Sequence, residues 1–363
     1  MTTGRMFRWV GLSCLALAFA AGTALAVTPV YVDDDYDAST PGWGVDRFDT
    51  IAAGIAAVDS GGTVNVAAGT YDEMITVDKS VTLLGANAGV HPAVGTHPTA
   101  TVGVRGAETI LAHDGPFALK PAADHIIVDG FFFSGDDGRV IDTYHDADNF
   151  TLRNCIFDNT SAYAPQGIIQ LGGGSHTNLL AEFNLFEGGE ISMFYFGGGP
   201  YDGLTLQYNK FNCEGDAVFW AATPLVDGVI KGNEFDGTIG GTPGVGFNTV
   251  NIGKAGNLQV LDNYVRHVNY TAFQIGTDGG LIAGNTFEAT GALNLPGYDP
   301  AVYGGYDLYL WGGAWDTQIS TDTEITQNTF IYNMTTDGPV RALRLAGPVN
   351  VGEPAIDEST ILV

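Results

Sequence analysis

Along much of the chain, apolar side chains recur at every second residue, in short runs that end on an asparagine and resume with a phenylalanine. The fullest copies are Leu204, Leu206, Asn209, Phe211 and Leu258, Val260, Asn263, Val265. Others centre on Asn184 with Phe186, Asn233 with Phe235, Asn285 with Phe287, and Asn328 with Phe330. The same offsets put Cys155 in the asparagine slot, among Phe150, Leu152 and Phe157, and one step earlier Phe131, among Ile126, Val128 and Phe133. Successive slots are 24, 29, 25, 24, 30, 22 and 43 residues apart. A period of two is that of a strand, since a helix would repeat at three and four. The odd step before each asparagine is a bend. An inward asparagine there can bond the amides above and below it, provided that the coils stack in register. The pattern predicts an all-β solenoid, a single-stranded right-handed parallel β-helix of about eight coils.

Each coil also carries a second strand next to glycine: Gly167–Leu171, Ile191–Phe196, Ala217–Trp220, Thr249–Ile252, Ala272–Ile275, Asp307–Trp311 and Arg341–Leu345. A sandwich would lack the asparagine column, and a propeller blade repeats at about 40–45 residues. Phe48–Val58 predicts a short capping helix over the open N-terminal end, stopped by Ser60-Gly61-Gly62. The expected organisation is an export signal over 1–26, an N-terminal cap with the short helix over 27–62, the β-helix over 63–345 and a tail over 346–363.

The run FDTIAAGIAAVDSGGTVNVAAGTYDEMITVDKSVTLLGAN, with the later LTLQYNKF and ITQNTF, resembles the right-handed parallel β-helix proteins of the pectin-lyase-like superfamily, over roughly residues 45–345. The resemblance implies the fold. It leaves activity open, because that superfamily holds pectate lyases, pectin esterases, polygalacturonases, epimerases, phage tailspikes and surface proteins without catalysis. Of the polygalacturonase-like motifs only an Asp-Asp pair is matched, by Gly135-Asp136-Asp137. The Asn-Thr-Asp, Gly-His-Gly and Arg-x-Lys elements are absent.

Charge narrows the partners. With 14 basic and 41 acidic residues the chain carries a net −27, and a surface so acidic repels nucleic acid and anionic lipid. Arg5 and Arg8, the apolar run Val10 to Ala21 and Ala24-Leu25-Ala26 form the export signal, whose apolar run is too short for a transmembrane segment. The expected location is outside the cytoplasm: extracellular, periplasmic or on the cell surface. Cys155 and Cys213 would lie two coils apart, roughly 9.6 Å at one strand spacing per coil, too far for a disulfide.

The residue after each repeat phenylalanine points outward, which makes a column of Ser134, Asp158, Glu187, Asn212, Asp236, Arg266, Glu288 and Ile331. Asp236, Arg266, His267 and Glu288 are the candidate catalytic residues, because paired carboxylates serve glycosidases and carboxylates beside Arg266 or His267 could equally hold calcium for a lyase. The competing reading is a solvent-exposed ladder of alternating charge. The coil after Phe287 holds the longest insertion, which with its strand brings Tyr298, Asp299, Tyr303, Tyr306 and Trp315 as candidate sugar-binding residues. Asp33, Asp35 and Asp37, with Asp34, form an oxygen cluster that is either a calcium site or a solvated acidic loop. His91, His97 and His113 fall at no metal-ligand spacing. The apolar Ile361-Leu362-Val363 end raises self-association or capping by a partner at the C-terminal end of the stack. Two functions follow: a polysaccharide-binding β-helix without catalysis, or a polysaccharide lyase or glycoside hydrolase.

Overall fold

The computed structural model describes residues 29–346, apart from 93–103, 113–114, 135–139, 144–146, 159–168, 173–175, 188–193, 198–200, 213–216, 222–223, 237, 240–241, 244–247, 267–270, 290–305, 312–320 and 333–340. Strands of successive coils pair in parallel along the whole stack, and their crossovers take the right-handed course that parallel connections follow. The phenylalanine strands make a ten-stranded sheet that runs from Gly69–Asp72 to Thr329–Tyr332. A larger sheet holds both the strands that precede each asparagine and the glycine-flanked strands. The two kinds fuse into single long elements at Asn248–Leu261 and Thr271–Ala283. Among the described residues only Thr238–Ile239 and Thr242–Pro243 pair antiparallel.

Among the described residues the stack therefore has ten coils where the asparagine pattern implied eight. The first two escape that pattern because Gly69 and Thr109 occupy their slots, in register with Phe131. Thr109 takes over the corner bonding with its hydroxyl, which accepts from Ala86 N at 2.8 Å and faces the carbonyls of Val66 and Ala67.

The asparagine ladder is continuous from Asn184 to Asn328. From Asn209 onward each Oδ1 accepts both the backbone N–H and the side-chain N–H of the asparagine one coil earlier, as from Asn209 to Asn233 at 2.9 and 3.1 Å. Each Nδ2 also donates to a carbonyl of the preceding coil, as from Asn233 to Leu206 O at 2.9 Å. The bends are thus held by buried amides that leave few corner groups unpaired. Beside them the rings of Phe133, Phe157, Phe186, Phe211 and Phe235 stack at 4.7–5.0 Å, nearly parallel. Val265 interrupts this column, and Phe273 from the opposite strand fills the gap edge-on between Phe235 and Phe287.

Helix α1, Ile51–Ala57, is shorter than the expected Phe48–Val58, because Arg47–Phe48 is a strand paired with Val30–Val32. Thr50 caps its N-terminus, and the Glu73 carboxylate accepts from Ile51 N and Ala52 N. Lys79 closes the other end on the carbonyls of Ala56 and Val58. The helix rests on Val30, Val32 and Val64 through Gly54. A Cβ there would stand 2.6 Å from Val32, so no larger residue lets the cap sit this low. No helix among the described residues is long and apolar enough to cross a membrane.

Candidate functional site

The outward column of the ten-stranded sheet has the register read from the sequence. Ser134, Asp158, Glu187, Asn212, Asp236, Arg266, Glu288 and Ile331 pair one after another along it. Its chemistry concentrates around Arg266. The guanidinium donates through Nε to Asp236 Oδ2 at 2.7 Å and through Nη2 to Glu234 Oε1 at 2.9 Å. Lys210 approaches the same Glu234 oxygen at 3.5 Å. Glu234 and Asp236 are buried although both leave the strand on its outer side, on either flank of Phe235. Burial opposes the charge on Arg266, but the nearby Asp236 and Glu234 carboxylates outweigh it and hold the guanidinium above its ordinary pKa. Glu288 accepts from the Tyr264 hydroxyl. Burial first, then that bond and the charge of Glu288, pushes the Tyr264 phenol up to about 12.

Three of the four candidate catalytic residues, Asp236, Arg266 and Glu288, thus meet on one face. Sequence reasoning missed Lys210, Glu234 and Tyr264, which belong to the same cluster. All three stand two residues before an outward position of the column, a signal that a period of two makes available. His267, Tyr298, Asp299, Tyr303 and Trp315 lie outside the described residues, as does Cys213, and Tyr306 is described only as backbone, at the start of the strand Tyr306–Trp311. Cys155 carries no disulfide; it is buried, and burial pushes its thiol up to about 12.

The acidic N-terminal turn regroups. The carboxylate oxygens of Asp33, Asp34 and Asp35 lie within 4.8 Å of one another, while Asp37 caps a separate turn at Ser39. Among the described residues these three are the group that could hold a metal ion. Asp33 already accepts from Asp35 N and Asp34 from Thr70 N, as carboxylates of a solvated turn also do.

A second constellation, which sequence reasoning did not assemble, lies where the larger sheet turns toward the asparagine ladder. Asp129, Arg153 and Glu182 stand side by side at the ends of three paired strands. The loop from Gly85 to His91 folds over them, and with Asn154 and Phe183 they line an open pocket of about 450 Å³. Asp129 is 3% exposed and accepts from Gly89 N, Arg153 Nε and Asn154 Nδ2 at 2.8–2.9 Å. Arg105 pins the wall, donating to the carbonyls of Val90 and Asn154 while it pairs with Glu108. His91 meets the Phe183 ring edge-on at 5.0 Å, and Phe183 stacks on Tyr208 at 5.3 Å. Burial, then the charge of Arg105, lowers the pKa of His91, which favours the neutral ring. The signal missed in the sequence was the aromatic character of the residue just before the slot, at Phe183 and Tyr208.

No protein-family model matches the chain, and no curated protein does. By its coil plan the chain is a parallel β-helix of the kind that the pectin-lyase-like resemblance implied. Among solved structures it is similar to a rhamnogalacturonan lyase, at 13% identity and a TM-score of 0.45, over 87% of this chain and 85% of that one. It is also similar to the pectin methylesterase from Aspergillus niger in deglycosylated form, at 13% identity and a TM-score of 0.38, over 94% and 95%. The fold rests on the chain's own strand pairing, and the chemistry on its own residues.

Proposed function

We propose that this is an exported β-helix that binds extracellular polysaccharide along the outward face of its ten-stranded sheet, and that Arg266 acts there as a fixed donor rather than as a base. One observation carries this reading: Arg266 is clamped by Asp236 and Glu234, which keeps it charged. A guanidinium held in that state is poor at removing a proton but well placed to bond hydroxyls. Groups in register one strand spacing apart suit a ligand that itself repeats. A second reading, a lyase or hydrolase, is favoured by Glu234, whose buried Oε2 has no hydrogen-bond partner.

One experiment separates the two. The protein is run through gels loaded with neutral or uronic polysaccharides, and the same mixtures, with and without calcium, are assayed for reducing ends and for the absorbance of unsaturated products. The binding reading expects retardation that Arg266→Gln abolishes, with no product formed. Turnover lost in Glu234→Gln or Glu288→Gln would replace it with the enzymatic reading.

A further inference from the structure

The backbone of the corner pocket holds an anomaly. The residue before each slot adopts a left-handed conformation, and along this corner it is Gly130, Asn154, Phe183, Tyr208, Gly232, Asp262, Gly284 and Gln327. The opposite corner repeats the conformation at His125, Asn149, Asn178, Gly203, Asp227, Asn257, Gly279 and Asp322. Glycine, asparagine, aspartate and histidine are the residues that tolerate positive φ, whereas a bulky aromatic there is a strained outlier. The two aromatic exceptions, Phe183 and Tyr208, both at φ 56°, stand on adjacent coils of one corner, and Phe183 forms a wall of the pocket. Mutual stacking offsets part of the strain. It does not explain why the pair stands beside a cavity.

The rest of the pocket is built to hold a shape. Gly130 lets the Gly85–His91 loop lie directly on the corner, since a Cβ there would stand 2.2 Å from Ala88 N. Asp129 ties that loop to Arg153 and Asn154. Arg153 uses its Nε on Asp129 and keeps a side chain 39% exposed, on a strand whose register sets it between Asp129 and Glu182. Glu182 receives Gln207 Nε2 on Oε2 at 2.8 Å. An aromatic face beside a guanidinium and a carboxylate, in a cavity within the usual range of about 300–1,000 Å³, is a site for a small hydroxyl-rich ring.

We infer that this corner is a second carbohydrate-binding site, distinct from the face of the ten-stranded sheet, which takes a neutral pyranose with its C–H groups against the wall that Phe183 and His91 form together and its hydroxyls on Arg153 and Glu182. Charge selects the neutral sugar. The one arginine of the lining is opposed by two carboxylates, and the whole chain is at −27, so a uronate would meet repulsion at Glu182 and in the surrounding field.

Calorimetric titration of the full chain with cellohexaose, mannohexaose and hexagalacturonate tests this. At least one neutral hexasaccharide is expected to bind ten-fold or more tightly than hexagalacturonate. Phe183→Asn, which suits the left-handed backbone, should weaken that binding at least ten-fold with the circular dichroism unchanged. If that variant melts early, Glu182→Ala, at a half-exposed strand end, should weaken it several-fold in a folded protein. A preference for hexagalacturonate overturns the inference. So does neutral-sugar affinity that Arg266→Gln lowers and the corner variants leave unchanged, since that binding would belong to the other face.

Discussion

Asn233 is fully buried and makes four hydrogen bonds with its side chain: two accepted from Asn209, one donated to Leu206 O and one to Asn263 Oδ1. Removal of the amide strands the backbone N–H of Asn209 and the carbonyl of Leu206, each at about 1–3 kcal/mol. Asn233→Ala should therefore cost about 3 kcal/mol, read as a lowered urea midpoint at unchanged slope. A loss below about 1 kcal/mol would mean that water enters the slot and replaces the amide. Cys155 shows the limit of such substitution. Its N–H still donates to Asn184 Oδ1, but its sulfur meets backbone groups alone, among them the carbonyls of Arg153, at 3.2 Å, and Val128, at 3.9 Å, so the amide ladder stops there. The Asn column was legible because every rung repeats one residue type at one offset. Phe183 was equally visible as a letter, but its meaning depends on a positive φ that hydrophobic periodicity does not carry.

At the scale of the element, the phenylalanine strand presents a ring inward and charges outward, and the two faces respond to different conditions. Tyr264 lies on the outer face, with a phenol pushed up to about 12 by burial and by Glu288. A raised folded-state pKa means that the unfolded chain loses the proton first, near 10. The stabilisation is complete below that pH and drains away between about 10 and 12. Urea midpoints should therefore fall through this window, and Tyr264→Phe should flatten part of the fall. Tyr71, Tyr201 and the Cys155 thiol, also raised by burial, sustain the rest. An unchanged alkaline limb in Tyr264→Phe would assign the whole fall to those three. The outward column was readable for the same reason as the core, since the period of two fixes both faces at once. The Arg266 cluster was read only in part, because Lys210, Glu234 and Tyr264 precede the phenylalanine position and were not followed across coils. The corner pocket was not readable by periodicity, because it joins three strand ends to a loop more than thirty residues upstream of the first of them.

Over the whole molecule, 41 acidic residues face 14 basic ones, so carboxylates without a cation dominate the surface. The described ion pairs sit in a few partly buried places: Arg47 with Asp46, Arg105 with Glu108, Arg153 with Asp129, Lys210 with Glu234, and Arg266 with Glu234 and Asp236. Salt acts on these two populations unequally. At about 0.01 M the screening length is about 30 Å, so each carboxylate feels many coils of a stack whose steps are about 4.8 Å; at about 0.1 M it is about 10 Å. Partly buried pairs are screened far less. Repulsion that strains the folded stack should therefore fade faster than the pairs that hold it. The unfolding temperature is expected to rise by several degrees between about 0.01 and 0.15 M sodium chloride. Arg266→Gln should show the same slope from a lower starting point, because the clamp contributes a local term and the field a global one. A fall with salt in the wild-type chain would mean that its few ion pairs outweigh the repulsion of all the unpaired carboxylates.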